Sequence, residues 1–340
     1  MRRRRRSSTG TRPPVADASP RVTRAEQYLA PETLAQLAPF ELRAKMVVEG
    51  AMNGMHSSPR QGAAVEFASH RQYTPGDGIR HLDWRVFART DKLYVKEYRQ
   101  ETNLDIIVLV DGSGSMRFGT LGAKAGWGGT RAQQGGSRWT KYDHATAAAA
   151  AVSFLALAQR DRVGVAVFSD GLHGGVRKSG APDQWRAIVH CLASEPVAGA
   201  VQWTKVVDQA LAQNHGHALY VIVSDFLSPP SEIRAGLARI AHRGNDAILL
   251  CTLDHAELDF SLDEQAPFEG LEGEPSIDVD TRAARAAYLE ALQAHLDAVR
   301  KAARDFGFDM AVFDTHESVG PVLSATLARR EAYARRRSAR

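Results

Sequence analysis

The sequence is poor in the residues that build most cofactor and metal modules. Only two of its 340 residues are cysteines, Cys191 and Cys251. They stand far apart with no paired spacing, which excludes a disulfide scaffold and a Cys-based zinc module. Both read as buried thiols. The twelve histidines are scattered; His215 and His217 flank Gly216, but no second pair stands at zinc spacing, so they read as loop residues. Long hydrophobic runs are missing too. Apolar runs are short, such as Ile106 to Val110, and the longer stretch 145–158 is Ala-rich and broken by Thr146 and Ser153. Nothing here is suited to crossing a bilayer. Arg2 to Arg6 are followed by Ser, Thr, Gly and Pro rather than an apolar segment, so no secretory leader is expected and the expected location is cytoplasmic. Nucleotide and hydrolase frames are absent as well. There is no G-x-x-x-x-G-K-[ST], no strand-linked G-x-G-x-x-G, and Gly112-Ser113-Gly114 lacks the G-x-S-x-G frame of a nucleophile elbow.

The formal net charge is +4, but the positive charge sits at the ends. Arg2 to Arg6 supply five charges, and six arginines with Glu331 between residues 329 and 340 supply about as many again. The body between is therefore acidic, and the ends read as solvated tails, 1–25 and 329–340. Such tails can touch nucleic acid or an acidic partner, but the body has no basic stripe with interleaved aromatics, so nucleic acid does not explain the whole chain.

Between the tails the grammar changes near residue 104. Residues 26–103 read as a helix opened by Pro31, with Leu34, Leu37 and Leu42 on one side, followed by a small β-rich subdomain. That subdomain holds the turn-dense Tyr73-Thr74-Pro75-Gly76-Asp77-Gly78 and a strand from Leu93 to Tyr98. From 104 to 328 continuous apolar runs recur at 106–110, 163–168, 218–223, 247–252 and 308–313, as expected of strands buried on both faces. Helical segments lie between them at 140–159, 184–193, 204–213, 231–242 and 281–306, the first opened by the capping-box spacing Thr140-x-x-Asp143. Val176 to Lys178 adds a short edge strand. Alternation of this kind predicts an α/β, doubly wound, mostly parallel sheet. A Gly-rich insert occupies about 117–139, readable as a partner-binding lip or as a spacer.

In such sheets ligands sit beyond the carboxyl ends of the strands. The first long strand ends in Asp111-Gly112-Ser113-Gly114-Ser115, three oxygen ligands at i, i+2 and i+4 with glycines between them. One carboxylate and two hydroxyls suit Mg²⁺ or Mn²⁺. The same residues also suit a plain Ser-rich turn that caps a helix. Two distant features favour the metal: Thr204 at a helix start, and Asp225 at the end of the strand that should neighbour the first.

Asp111-x-Ser113-x-Ser115 with Thr204 and Asp225 resembles the metal-ion-dependent adhesion site of von Willebrand factor A-like domains. Upstream, Glu66-Phe67, Arg71-x-Tyr73, Gly76-Asp77, Arg80, Asp83-Trp84, Ala88-Arg89 and Tyr94-Val95-Lys96 resemble the signature of the bacterial family called "domain of unknown function fifty-eight". The resemblance spans about residues 40–325. It implies a β-rich subdomain beside an A-like domain, and a role as adaptor or co-chaperone of a MoxR-type AAA+ ATPase. It also implies that Ser113, Ser115 and Thr204 bind metal directly and that Asp111 and Asp225 do so directly or through water, with an open position left for a partner's carboxylate. The loop before Thr204, Val201-Gln202-Trp203, lacks the glycines usual there, so Thr204 departs most from the pattern.

Arg71, Asp77, Arg80 and Asp83 offer no nucleophile or cofactor site, and read as ion pairs holding a hairpin with Tyr73 and Trp84 as its packing. The expected function is thus a non-enzymatic, Mg²⁺-dependent protein-interaction module. The alternative is a metal-dependent phosphoesterase, for which no general base is evident.

Overall fold

The computed structural model describes residues 65–74, 82–100, 104–122, 138–193, 199–260, 265–268, 270–272 and 277–338. The tail 1–25, the helix expected after Pro31, the turn around Gly76 and most of the Gly-rich insert lie outside them.

Strands β1 (Val65–Gln72) and β2 (Tyr94–Gln100) pair antiparallel, from Val65 opposite Gln100 to Gln72 opposite Tyr94. Between them Asp83 opens helix α1 (Trp84–Thr90), its carboxylate accepting from the Arg85 and Val86 amides at 2.9 and 3.2 Å. That cap satisfies two of the amides a helix start leaves without partners. Trp84, expected as packing, is instead exposed, and its ring meets the edge of Phe87 at 6.2 Å.

The larger unit is a six-stranded sheet of β3 (Asp105–Asp111), β6 (Arg162–Phe168), β7 (Leu172–Ser179), β8 (Leu219–Ser224), β9 (Asp246–Leu253) and β12 (Asp309–Asp314). Two short pieces, β4 (Leu121–Gly122) and β5 (Arg138–Trp139), pair outside it, as do β10 (Gln265–Phe268) and β11 (Ile277–Asp280). The sheet order is β12-β9-β8-β3-β6-β7, all parallel except the edge strand β7. The chain thus winds one way from β3 through β6 to β7 and then returns across β3 to β8, the reversal that defines a doubly wound sheet. This is the α/β, doubly wound, mostly parallel architecture that the sequence predicts.

Because both faces are covered, the central strands carry no alternation: all seven residues of β3 and all eight of β9 are buried. Ile106, Val108 and Val110 face one core with helices α2 (Lys141–Ala158), α3 (Gln184–Leu192) and α8 (Val319–Ser338). Ile107 and Leu109 face the other, with α4 (Trp203–Gln213), α5 (Pro230–His242) and α7 (Thr281–Asp305). Helix α2 has apolar small residues all round, Ala147 to Ala151 among them, and is buried on nearly every side. A helix so placed must be thin. Alanine gives it both high helix propensity and close approach to sheet and neighbouring helices. The Thr140–Asp143 capping box is formed, with Thr140 Oγ1 accepting from the Asp143 amide at 3.2 Å and Asp143 Oδ2 accepting from the Thr140 amide at 2.9 Å.

One boundary is corrected. Residues from 329, expected as a solvated basic tail, continue α8 to Ser338. Arg330 is buried and donates at 2.6 Å to Asp246 and at 2.6 Å to Asp309, the first residues of β9 and β12. The reason lies in helix phase: Val319, Leu323 and Leu327 form a buried stripe, and Arg330 is the next position on it. Cys191, expected as buried, is only half-buried, whereas Cys251 is fully buried.

Candidate metal centre at the carboxyl edge of the sheet

Register brings the first two groups together. β3 and β8 are neighbours with Val110 opposite Val223, so Asp111 and Ser224 meet one step further on. Ser224 Oγ donates to Asp111 Oδ2 at 2.6 Å, and the Ser113 amide donates to Asp111 Oδ1 at 2.8 Å. Asp111 is fully buried and has no ionic partner among the described residues. Burial, and then repulsion from Asp225, push its carboxyl up to about 7.

The loop after β3 turns Ser113 and Ser115 inward through a short 3₁₀ turn, Gly114–Arg117. Their hydroxyl oxygens lie 3.1 Å apart, and Ser115 Oγ donates to Asp225 Oδ2 at 2.7 Å. Asp225 Oδ1 accepts from the Leu227 amide at 3.2 Å. Four of the five residues singled out in the sequence, Asp111, Ser113, Ser115 and Asp225, therefore form one hydrogen-bonded cluster. Thr204 does not join it. The residue lies in the first turn of α4, beside Trp203, whose ring stacks on Phe226 at 5.2 Å. That stacking holds the start of α4 against the Asp225 loop, yet Thr204 makes no hydrogen bond to the other four.

A further group in the cluster was not anticipated: the ammonium of Lys141. It is 1% exposed and donates to Asp225 Oδ2 at 2.9 Å and to Glu257 Oε1 at 2.7 Å. Burial alone would lower its pKa, but the two carboxylates outweigh that and hold it above the ordinary lysine value. Burial likewise opposes ionisation of Asp225; the Lys141 ammonium and the hydrogen bonds outweigh it and hold that carboxyl low. At Glu257 burial prevails over Lys141 and the carboxyl is raised. Lys141 stands at the first position of α2, the positive end of a helix, where a cation is disfavoured. That local conflict is the sequence signal that could have marked it. Glu257, the second oxygen of which caps Asp254 at 2.8 Å, was legible only as half of an Asp254-x-x-Glu257 capping box.

Asp254 pins the loop that follows the cluster. Its oxygens accept from Thr120 Oγ1 at 2.5 Å, the Thr120 amide at 3.1 Å and Thr315 Oγ1 at 2.8 Å. The cluster is thus anchored from β3, β8 and β9 together.

Among the described residues, no three His, Cys, Asp or Glu side chains gather as a metal-ligand group. What gathers is a set of hard oxygens from hydroxyls and carboxylates. An octahedral Mg²⁺ with donors at about 2.0–2.1 Å requires adjacent donors about 2.9 Å apart. The Ser113–Ser115 and Ser115–Asp225 separations, 3.1 and 2.7 Å, bracket that edge length. The donor set fits a small hard dication, with Lys141 as a resident monovalent neighbour.

The fold and these residues define a class: a doubly wound α/β domain with an oxygen-lined recess at its strand ends. The chain belongs to the family described as protein of unknown function DUF58, which it matches over residues 69–298. Uncharacterized proteins of Mycobacterium bovis and Mycobacterium tuberculosis are 28% identical over 232 residues, which is 67% of this chain and 68% of theirs. Among solved structures, the conserved hypothetical protein BatB of Bacteroides thetaiotaomicron aligns with a TM-score of 0.42 and 12% identity, over 68% of this chain and all of that one. An aerotolerance-related membrane protein of Bacteroides fragilis aligns with a TM-score of 0.37 and 12% identity, over 67% of this chain and all of that one. Among the described residues no helix is long and apolar enough to cross a membrane.

Proposed function

We propose that the chain is a non-enzymatic, Mg²⁺- or Mn²⁺-dependent protein-interaction module, acting in the cytoplasm as adaptor or co-chaperone of a MoxR-type AAA+ ATPase. The observation that carries the reading is the convergence of Ser113, Ser115 and Asp225 at octahedral-edge separations beside the buried Asp111. Ser113 and Ser115 would hold the ion with Asp225, and Asp111 would orient the loop through the Ser113 amide while supplying charge behind it. A dication held mainly by hydroxyls keeps its charge and would supply an electrophilic position for an incoming carboxylate.

Lys141 keeps Asp225 aimed and ionised, donating to the same Oδ2 that accepts from the Ser115 hydroxyl. Leu227, whose amide donates to Asp225, and Leu271, whose carbonyl lies by Gly114, are both exposed and offer apolar contact for the segment bearing the acid. An acidic residue of the ATPase, set in an aliphatic context, is the proposed ligand.

Calorimetric titration of the purified chain with Mg²⁺, followed by capture of a MoxR-type AAA+ ATPase, tests this. Capture should need Mg²⁺, be lost in EDTA, and be lost in Asp111→Ala. Capture that persists in both conditions refutes the reading.

A further inference from the structure

The recess is covered from within the chain. Gly270-Leu271-Glu272, the described part of the connection between β10 and β11, lies over the Ser113–Ser115 loop. Glu272 Oε1 accepts from the Ser115 amide at 3.2 Å, so its carboxylate sits against the loop whose hydroxyl donates to Asp225. A second observation shows that the fit is close. A Cβ at Gly114 would stand 2.2 Å from the Leu271 carbonyl oxygen and 3.0 Å from Glu272 Cγ. Real Cβ atoms do not approach backbone so closely, so the middle residue of Ser113-Gly114-Ser115 must be glycine for this segment to lie where it does.

The segment presents an acid immediately after an exposed aliphatic residue, Leu271. Those are the features that the proposed partner would bring.

We propose that Leu271-Glu272 is an in-chain occupant of the carboxylate-accepting recess: Glu272 takes the partner's place in cis, and a partner engages by displacing it with its own aliphatic–acidic pair. The inference rests on the reading of the recess as a metal-dependent acid receptor and adds a resident competitor to it. Its consequence is a threshold. A recess uncovered about a tenth of the time binds its partner about tenfold more weakly than an open one.

The test uses the full chain, its Glu272→Gln variant, Mg²⁺ alone, and the dipeptide N-acetyl-Leu-Glu-amide as probe. Glutamine keeps the shape and a neutral acceptor but loses the charge. In the wild type, Mg²⁺ should slow amide hydrogen exchange in the peptide covering residues 265–272. In Glu272→Gln, Mg²⁺ should bind by calorimetry without slowing exchange there, and the dipeptide should bind about tenfold more tightly than to the wild type. Equal protection of 265–272 in both proteins, or equal dipeptide affinity, overturns the in-chain occupant while leaving the metal reading standing. Absence of Mg²⁺ binding to both proteins removes the metal reading and this inference with it.

Discussion

Lys141 is where a single substitution speaks most directly to the electrostatics of the recess. Lys141→Met keeps the buried aliphatic stem at the start of α2 and deletes the ammonium that Asp225 and Glu257 accept from. Removing one partner of a buried ion pair costs about 3–5 kcal/mol, because the remaining charge has lost its water and gained nothing. For a domain of this size each kcal/mol moves the melting temperature by about 2–4 °C, so the variant should melt about 6–20 °C lower in metal-free buffer. The loss should shrink on adding Mg²⁺, since the uncompensated carboxylates now bind the dication more strongly. Saturation at a hundred times the dissociation constant returns about 2.7 kcal/mol. Differential scanning calorimetry of wild type and variant, in EDTA and in Mg²⁺, reads both effects. A variant less than about 1 kcal/mol destabilised in EDTA, with the same Mg²⁺ response as wild type, would refute the argument that Lys141 balances this cluster.

Two further outcomes are expected. Arg330→Met should destabilise by about 3–5 kcal/mol, by breaking the buried ion pairs to Asp246 and Asp309, whereas Arg329→Met, exposed one position earlier, should cost under about 1 kcal/mol; equal urea midpoints for the two variants would contradict the buried clamp. His144, fully buried with its Nδ1 accepting from Trp139 Nε1 at 3.3 Å, has its pKa lowered to about 4 by burial, against the weaker pull of Asp314 and Asp254. The unfolded chain takes up that proton near pH 6.5, so this contribution is whole above that pH and is lost as pH falls toward 4, about 3 kcal/mol in all. His144→Gln should therefore lose less stability than wild type between pH 7 and 4.5 in urea titrations, and parallel losses would exclude the buried neutral imidazole.

Much of the fold was legible because its signals are local and repeated. Ile106 to Val110 reads as a buried strand whatever surrounds it, and Thr140-x-x-Asp143 marks a helix start that the structure reproduces to the residue. The meeting of Asp111 with Asp225 was legible at one remove: a doubly wound sheet puts the strand before Ser224 beside the first strand, and the register completes the contact. Lys141 and Glu272 were hidden for different reasons. Lys141 was read as part of a cap, and its charge becomes informative only once Asp225 is known to lie beneath it. Glu272 sits in a connection with no periodicity, and its approach to Ser115 depends on tertiary placement alone. Arg330 was lost by averaging: a count of arginines erased the helical phase that carries it inward. Thr204 shows the converse, a residue named for its place at a helix start that makes no hydrogen bond to the other four although Trp203 beside it stacks on Phe226.

The clamp at Arg330 also fixes where α8 crosses the edge of the sheet. Asp246 and Asp309 begin their strands, whereas Asp111 and Asp225 stand at or just beyond the ends of theirs, so Arg330 stands at the opposite pole from the Asp111–Asp225 cluster. A label attached at the exposed Arg329 would therefore leave Ser113 and Ser115 unobstructed.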